Sequence, residues 1–210
     1  MSRITKKPEE RKNELIDVAE ELFSTLGYRN TSVSDIVKKV SVAQGTFYYY
    51  FKSKEDICVS IFQRHLEKTV NEFNKIISNV NISAIKKLEK LIEVDINFNK
   101  AGFVSILHDE EYSTLHRKFM IYIIDSYKPI VLSIINQGID EGVFKTEFAD
   151  EIAEFFLVNA NFLFDPELFS WNRDEYIKKI NAFSYIMGKS LNLHKGSFNF
   201  IDSFKTYLNR

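Results

Sequence analysis

The chain has little of what interrupts helices and almost nothing that cross-links them. Its 210 residues include 3 Pro, 7 Gly and 1 Cys. A lone cysteine, Cys58, excludes an internal disulfide and suits a reducing compartment such as the cytoplasm. So few helix breakers point to a chain made mostly of helices. No stretch approaches the roughly eighteen apolar residues of a membrane span. The opening Met-Ser-Arg-Ile-Thr-Lys-Lys-Pro has no apolar h-region, so a signal peptide is not expected. Glycine-rich phosphate loops, Gly-x-Ser-x-Gly elbows and nucleophile–base signatures are lacking, which argues against an enzyme. None of the four histidines forms a His-x-x-x-His pair or lies near Cys58 at metal-ligand spacing. His108-Asp109-Glu110-Glu111 with His116 is the most metal-like cluster, and it reads as an exposed helix junction. Neither a cofactor nor a metal is expected.

Net charge is −1, which argues against blanket affinity for nucleic acid. Its distribution is more telling. Residues 1 to 54 hold 10 Lys/Arg against 7 Asp/Glu, and the remainder is acidic by about four charges. A basic front and an acidic rear suit a DNA-binding module joined to another domain. Arg3, Lys6 and Lys7 precede the first expected helix, where an arm could touch phosphates or an ordinary tail could sit.

What the chain does have is five aromatic residues in a row, Phe47-Tyr48-Tyr49-Tyr50-Phe51. A helix turns about 100° per residue, so five adjacent side chains sweep more than a circle and cannot share one core. Phe47 and Phe51, four apart, share a face. Tyr48 and Tyr49 then point mostly away from it. A tyrosine hydroxyl can donate to a phosphate oxygen. The run sits among Gln44, Thr46, Lys52 and Lys54, as a nucleic-acid surface would. A buried aromatic cluster with one exposed ring is the competing reading of the run alone.

The residues before it decide between these. Ser32 and Asp35 form a capping box that opens a helix, and Val33, Ile36, Val37 and Val40 recur at helical spacing. Ser41-Val42-Ala43 breaks the stripe, with Val42 placed to plug the angle. Gln44 or Gly45 opens a second short helix. Two short helices joined in this way make a helix-turn-helix, whose second helix enters the major groove. Upstream, Leu15, Val18, Ala19, Leu22, Phe23 and Leu26 form an amphipathic stripe that Gly27 stops. Downstream, Ser53 with Asp56 caps the next helix.

On Ala19, Leu22, Phe23, Gly27, Tyr28, Thr31, Ile36, Val42 and the run Gly45 to Glu55, residues 9 to 60 resemble the tetracycline-repressor (TetR) family of bacterial regulators. Two positions depart from the family pattern: Val40 where Ala is favoured, and Ser41 where the turn usually has Gly. The resemblance implies an all-α protein. Residues 1–53 would form a three-helix DNA-binding domain, and residues 54–210 a helical ligand-binding and dimerisation bundle. It implies a ligand-responsive homodimeric regulator, a repressor, on a palindromic operator. By motif position, Ser34, Gln44 and Gly45 are candidates for base edges. Ser32, Thr46, Tyr48, Tyr49, Tyr50 and Lys54 are candidates for phosphate or sugar. A helix-turn-helix repurposed for protein interaction, or an enzyme built on a helical cavity, are the alternatives.

Beyond residue 53 the pattern stays helical, with helices expected near 54–78, 83–100, 102–108, 112–141, 148–164, 173–193 and 198–208. Pro129 falls inside one of them and should kink it or break its ladder. Aromatic residues crowd this half, and apolar cavities are commonly lined by them. Phe98, Phe103, His108, Phe119, Tyr122, Tyr127 and Phe162 are the candidates for effector binding, ordinary core being the alternative for each. Ile152, Phe155, Phe156 and Asn159, continued by Phe162, make one apolar stripe; Ile180, Phe183 and Met187 belong to another. Two such hairpins could meet across a two-fold axis as a four-helix bundle, or both stripes could pack inside one subunit.

Overall fold

The computed structural model describes residues 7–99, 113–164, 169–194, 197 and 199–204. Among these residues the chain is helical with no strand. It divides into two compact units, Met1–His65 with Gly102–Phe119, and Leu66–Ala101 with Met120–Arg210.

The first unit begins with α1 (Pro8–Leu26). Proline at the first helical position needs no partner for a missing N–H, and Glu9 and Glu10 suit the helix dipole. Gly27 ends the helix at φ 85°, a conformation that side chains rarely adopt. Next come α2 (Val33–Val40), α3 (Gln44–Tyr50) and the start of α4 (Lys54–Ile77). Leu15, Ala19, Phe23, Ile36, Phe47 and Ile61 are buried together as the core. Arg64 on α4 reaches Asp17 and Glu20 on α1, and His65 Nε2 lies 2.5 Å from the Glu20 carboxylate. Burial of Glu20 works against ionisation, but His65 and Arg64 outweigh it and hold its pKa low. Cys58 is fully buried, and burial pushes its thiol up to about 12, so it packs as a small hydrophobe.

The second unit holds the rest of α4, α5 (Ala84–Asn99), most of α6 (Ser113–Asp140), α7 (Ala149–Val158) and α8 (Arg173–Ser190). The α7 helix runs on into a π-helical turn, Asn159–Leu163. Phe156, Phe164, Phe183, Phe200 and Phe204 make an aromatic core. Lys87 is 2% exposed. Its ammonium donates to the Ile77 carbonyl at 2.6 Å and to Gln137 Oε1 at 2.7 Å, so one lysine stops α4 and ties α5 to α6. Gly138 lies under the Phe144 ring, where an added Cβ would come within 2.0 Å of it.

Several expectations change. The chain passes through Pro129 without leaving α6. Proline and the Asp125 carbonyl it leaves unpaired lie on the exposed face, where water can replace the lost donor. Residues Leu115–Asp140 are, by length and composition, apolar enough to cross a membrane, against the expectation of no such stretch. Their buried Phe119, Ile123, Ile130, Val131 and Ile134 show the same apolarity serving as protein core. The helix expected at 198–208 is a set of turns in its described part. The helix expected at 102–108 and the arm residues Arg3 and Lys6 lie outside the described residues.

Candidate functional site

The first candidate surface is built by two capped turns. Ser32 opens α2: its hydroxyl accepts from the Asp35 N–H at 3.1 Å, and the Asp35 carboxylate accepts from the Ser32 N–H at 2.9 Å. The carboxylate also accepts from the Ser32 hydroxyl at 2.6 Å, and these bonds hold its pKa below the usual range. Ser32 is thus engaged in the cap itself, while Ser34 beside it is exposed. The α2 helix ends with Ser41 in the left-handed region, φ 59° and ψ 47°. The Ser41 N–H bonds the Lys38 carbonyl and the Val42 N–H bonds the Val37 carbonyl at 3.0 Å. That pattern terminates helices and usually carries glycine at the left-handed position.

This turn sets the pose of α3. Phe47 and Phe51 are buried, with ring centroids 5.6 Å apart. Tyr48 is 52% exposed and Tyr49 77% exposed. Tyr50 is half-buried with Tyr49 edge-on to it, and Gln44 and Gly45 are open to solvent. Nothing lies within 4 Å of a Cβ built on Gly45, so within the chain this position is bare backbone. Thr46 is half-buried. The outward face of α3 therefore offers hydroxyls, a carboxamide and open backbone above a two-phenylalanine base. Lys54 behaves differently. Its ammonium donates to the Tyr28 carbonyl at 2.8 Å and lies 4.3 Å from the Tyr28 ring centre. It fastens the start of α4 to the connector between α1 and α2.

The second candidate lies in the other unit. Phe73 of α4, Leu91, Ile92 and Asp95 of α5, Tyr127 and Val131 of α6, Phe156, Leu157, Ala160 and Asn161 on the α7 side, and Phe204 line a cavity. The enclosed space is small, about 20 Å³, and the cavity is open on one side. Of the residues expected to bind an effector, Tyr127 lines it. Phe119 is instead stacked on Phe62 in the first unit, centroids 4.0 Å apart. Tyr122 is half-buried outside the lining, and Phe162 is 45% exposed. The Phe98 side chain, Phe103 and His108 fall outside the described residues. Asp95 and Asn161 were not anticipated. Asp95 follows Leu88, Leu91 and Ile92 at helical spacing, so its place on the inner face of α5 was readable. One carboxylate oxygen is shut off from solvent, and burial pushes the Asp95 pKa up to about 7. The Tyr127 hydroxyl is raised well above its ordinary pKa, first by burial and then by the Asp95 charge, with Thr69 hydrogen-bonding opposing the shift.

The residues expected at a dimer face divide. Ile152, Phe156, Ile180, Phe183 and Met187 are at most 5% exposed and pack inside the second unit, so they have no surface left for a second copy. The two stripes meet each other, and Phe156 also lines the cavity. Phe155 stays 62% exposed and Asn159 half-buried. The apolar face left open consists of Phe155, Val158 and Phe162 on the α7 side and Tyr185 and Ile186 on α8.

Comparison with known proteins agrees with this geometry. Residues 15–61 match the family model for bacterial regulatory proteins of the tetR family. Residues 95–186 match the model for a tetracyclin repressor-like C-terminal domain. The chain is 29% identical over 136 residues to the fatty acid metabolism regulator protein of Bacillus subtilis, covering 63% of this chain and 70% of that one. It is 25% identical over 152 residues to the transcriptional repressor KstR2 of Rhodococcus jostii, covering 70% and 74%. A solved transcriptional regulator from Cytophaga hutchinsonii shares the fold, with TM-score 0.61 and 20% identity over 86% of this chain and 96% of that one. Two family models, one over the helix-turn-helix and the start of α4 and one over the later helices, and a fold common to solved regulators show that the chain belongs to the TetR family of ligand-responsive transcriptional regulators.

Proposed function

We propose that the protein is a homodimeric repressor that binds a palindromic operator and leaves it when a small, mostly apolar effector enters the cavity. The observation that carries the DNA reading is the outward face of α3, with Gln44, Gly45, Tyr48 and Tyr49 exposed over buried Phe47 and Phe51. In this reading α3 lies in the major groove. Gln44 pairs with adenine, Gly45 lets the backbone approach, and Ser34 reaches a base edge. Thr46, Tyr48, Tyr49 and Tyr50 meet phosphate or sugar. Ser32 and Lys54 contribute mainly by holding α2 and α4 in place, and each keeps some capacity for a phosphate.

The dimer forms through the open face of Phe155, Val158, Phe162, Tyr185 and Ile186. The effector acts through α4, which begins four residues after α3 and carries Phe73 to the cavity wall. An effector that binds the DNA-incompetent arrangement more tightly shifts the population away from the operator. A cytoplasmic site of action follows from the DNA partner. The test is selection of bound duplexes from a random library at moderate salt. Recovery of a palindrome supports the dimeric, sequence-reading regulator. Recovery of background sequences alone, from folded protein, sinks the reading for the effector-free state.

A further inference from the structure

Within the first unit, α4 is fastened by polar groups at two points. Between them its inner side is apolar, with Ile57, Cys58, Ile61 and Phe62 buried. Apolar contact is non-directional, so it resists separation of helices better than it resists sliding or rotation. The polar ties supply direction. At the start of α4 the Lys54 ammonium donates to the Tyr28 carbonyl at 2.8 Å. Further on, about 15 Å along the helix, the Arg64 guanidinium donates from one terminal nitrogen to Asp17 and from the other to Glu20. Asp17 and Glu20 are neighbours on one face of α1, and a planar fork that spans both fixes orientation as well as distance.

The Arg64 side chain is a poor source of stability. Its Nε is closed to solvent and has no acceptor among the described residues. Burial works against the cation, and Asp17 and Glu20 outweigh it. A charge held in this way fixes geometry at a cost in desolvation. Its place in the chain is specific too. The first unit's share of α4 ends with the next residue, His65, and from Leu66 onward the helix belongs to the second unit. The α1 helix in turn packs on α2, and α2 on α3, so the two carboxylates relate the course of α4 to the pose of α3. We infer that Arg64, gripped by Asp17 and Glu20, is a positioning residue for operator reading: it fixes the direction in which α4 leaves the DNA-binding unit, and so the spacing at which two copies present α3. In this role it needs no contact with DNA. The inference rests on the reading of the protein as a dimer on a palindromic operator.

The test is selection from a random duplex library, run side by side on full-length wild type, Arg64→Met and the double variant Asp17→Ala with Glu20→Ala. Methionine keeps an unbranched stem along α1 while removing the fork. The wild type should return two half-sites at one spacing. Both variants should return the same half-site sequence with spacers spread over several base pairs, each base pair turning one half-site by about 35° against the other. On the best wild-type palindrome the variants should bind about tenfold more weakly, because the second half-site is no longer presented in place. Affinity for an isolated half-site should stay within about twofold. A residue that merely stabilised the unit would lower both affinities together. One spacing shared by wild type and variants, or equal losses on half-site and palindrome, would overturn the inference and leave the operator reading standing. Unfolding of both variants would assign Arg64 to stability and overturn it as well. A wild type that returns no palindrome removes the operator reading, and the inference with it.

Discussion

Tyr48 and Tyr49 are the side chains whose exposure makes least sense without a partner, because an aromatic ring in water forgoes burial that the fold could have supplied. If the Tyr48 hydroxyl donates to a phosphate, Tyr48→Phe removes one hydrogen bond to a charged group, worth roughly 1.5–3 kcal/mol. Operator affinity should fall about tenfold or more at fixed salt, while the thermal unfolding curve stays in place. Equal affinity for wild type and variant would take that hydroxyl out of the interface. Asp95 makes a second prediction, on stability alone. Its pKa is raised in the folded protein, to about 7 from 3.8, so between those values the folded state holds a proton that the unfolded state has lost. Stability contributed by the neutral carboxyl is present below pH 4 and declines as pH rises toward 7. Asp95→Asn should flatten that decline and raise unfolding free energy at pH 8 by roughly 2–4 kcal/mol. Denaturant melts of both proteins at pH 5 and pH 8 decide it, and parallel pH profiles would show that Asp95 titrates normally.

At the scale of single elements, the turn from α2 to α3 holds a strained residue at the point that aims the recognition helix. Ser41 occupies left-handed backbone, which costs a non-glycine residue roughly 1–2 kcal/mol. Ser41→Gly removes that strain and adds some unfolded-chain entropy, for a net gain of about 0.5–1 kcal/mol. A rise in melting temperature with unchanged operator binding is expected. A fall in stability would mean that the serine contributes something the backbone geometry does not reveal. Lys87 is the opposite case, a buried cation that satisfies acceptors on two other helices. Replacing it with Met leaves the Ile77 carbonyl and the Gln137 side chain short of a donor, and should cost about 2–3 kcal/mol, read as a lower denaturation midpoint. The elements of the first unit were legible because their signals are local: a capping box at Ser32, a stop at Gly27, two phenylalanines four apart. The π-helical turn was not. It inserts an extra residue into one turn of the α7 helix, so the inner stripe passes from Phe156 and Leu157 to Asn161 and Phe164. Phe162, which regular helical spacing places inside, is turned out to solvent. Lys87 was missed for a different reason: a lysine in an amphipathic helix reads as surface until a helix end is seen to need its ammonium.

For the whole molecule, the open question is what covers the apolar face of α7 and α8. Five large side chains there are between 43% and 62% exposed. Contiguous apolar surface of that kind marks an association site in most proteins. Ile152, Phe156, Ile180, Phe183 and Met187, expected at a dimer face, are buried in the subunit instead, since apolar spacing alone cannot tell a face that meets its own core from one that meets a copy. Ile152, Phe156, Ile180 and Phe183 hold the hairpin together, and the outer set stays open, which is the face proposed for the partner. Phe155→Glu places a charge on that outer set without touching the core, so the monomer should keep its helical content and its melting cooperativity. Sedimentation should show a species of half the wild-type mass. Binding to a palindromic duplex should weaken at least about a hundredfold, because each half-site then loses the effective concentration its neighbour supplied. The salt dependence should change with it: the slope of log affinity against log salt is roughly −0.9 per phosphate neutralised, so a monomer on one half-site should show about half the dimer's slope. A Phe155→Glu protein that remains dimeric would put the two-fold axis on another surface. A monomer that kept both the affinity and the slope of wild type would mean that dimerisation and operator reading are separate properties of this chain.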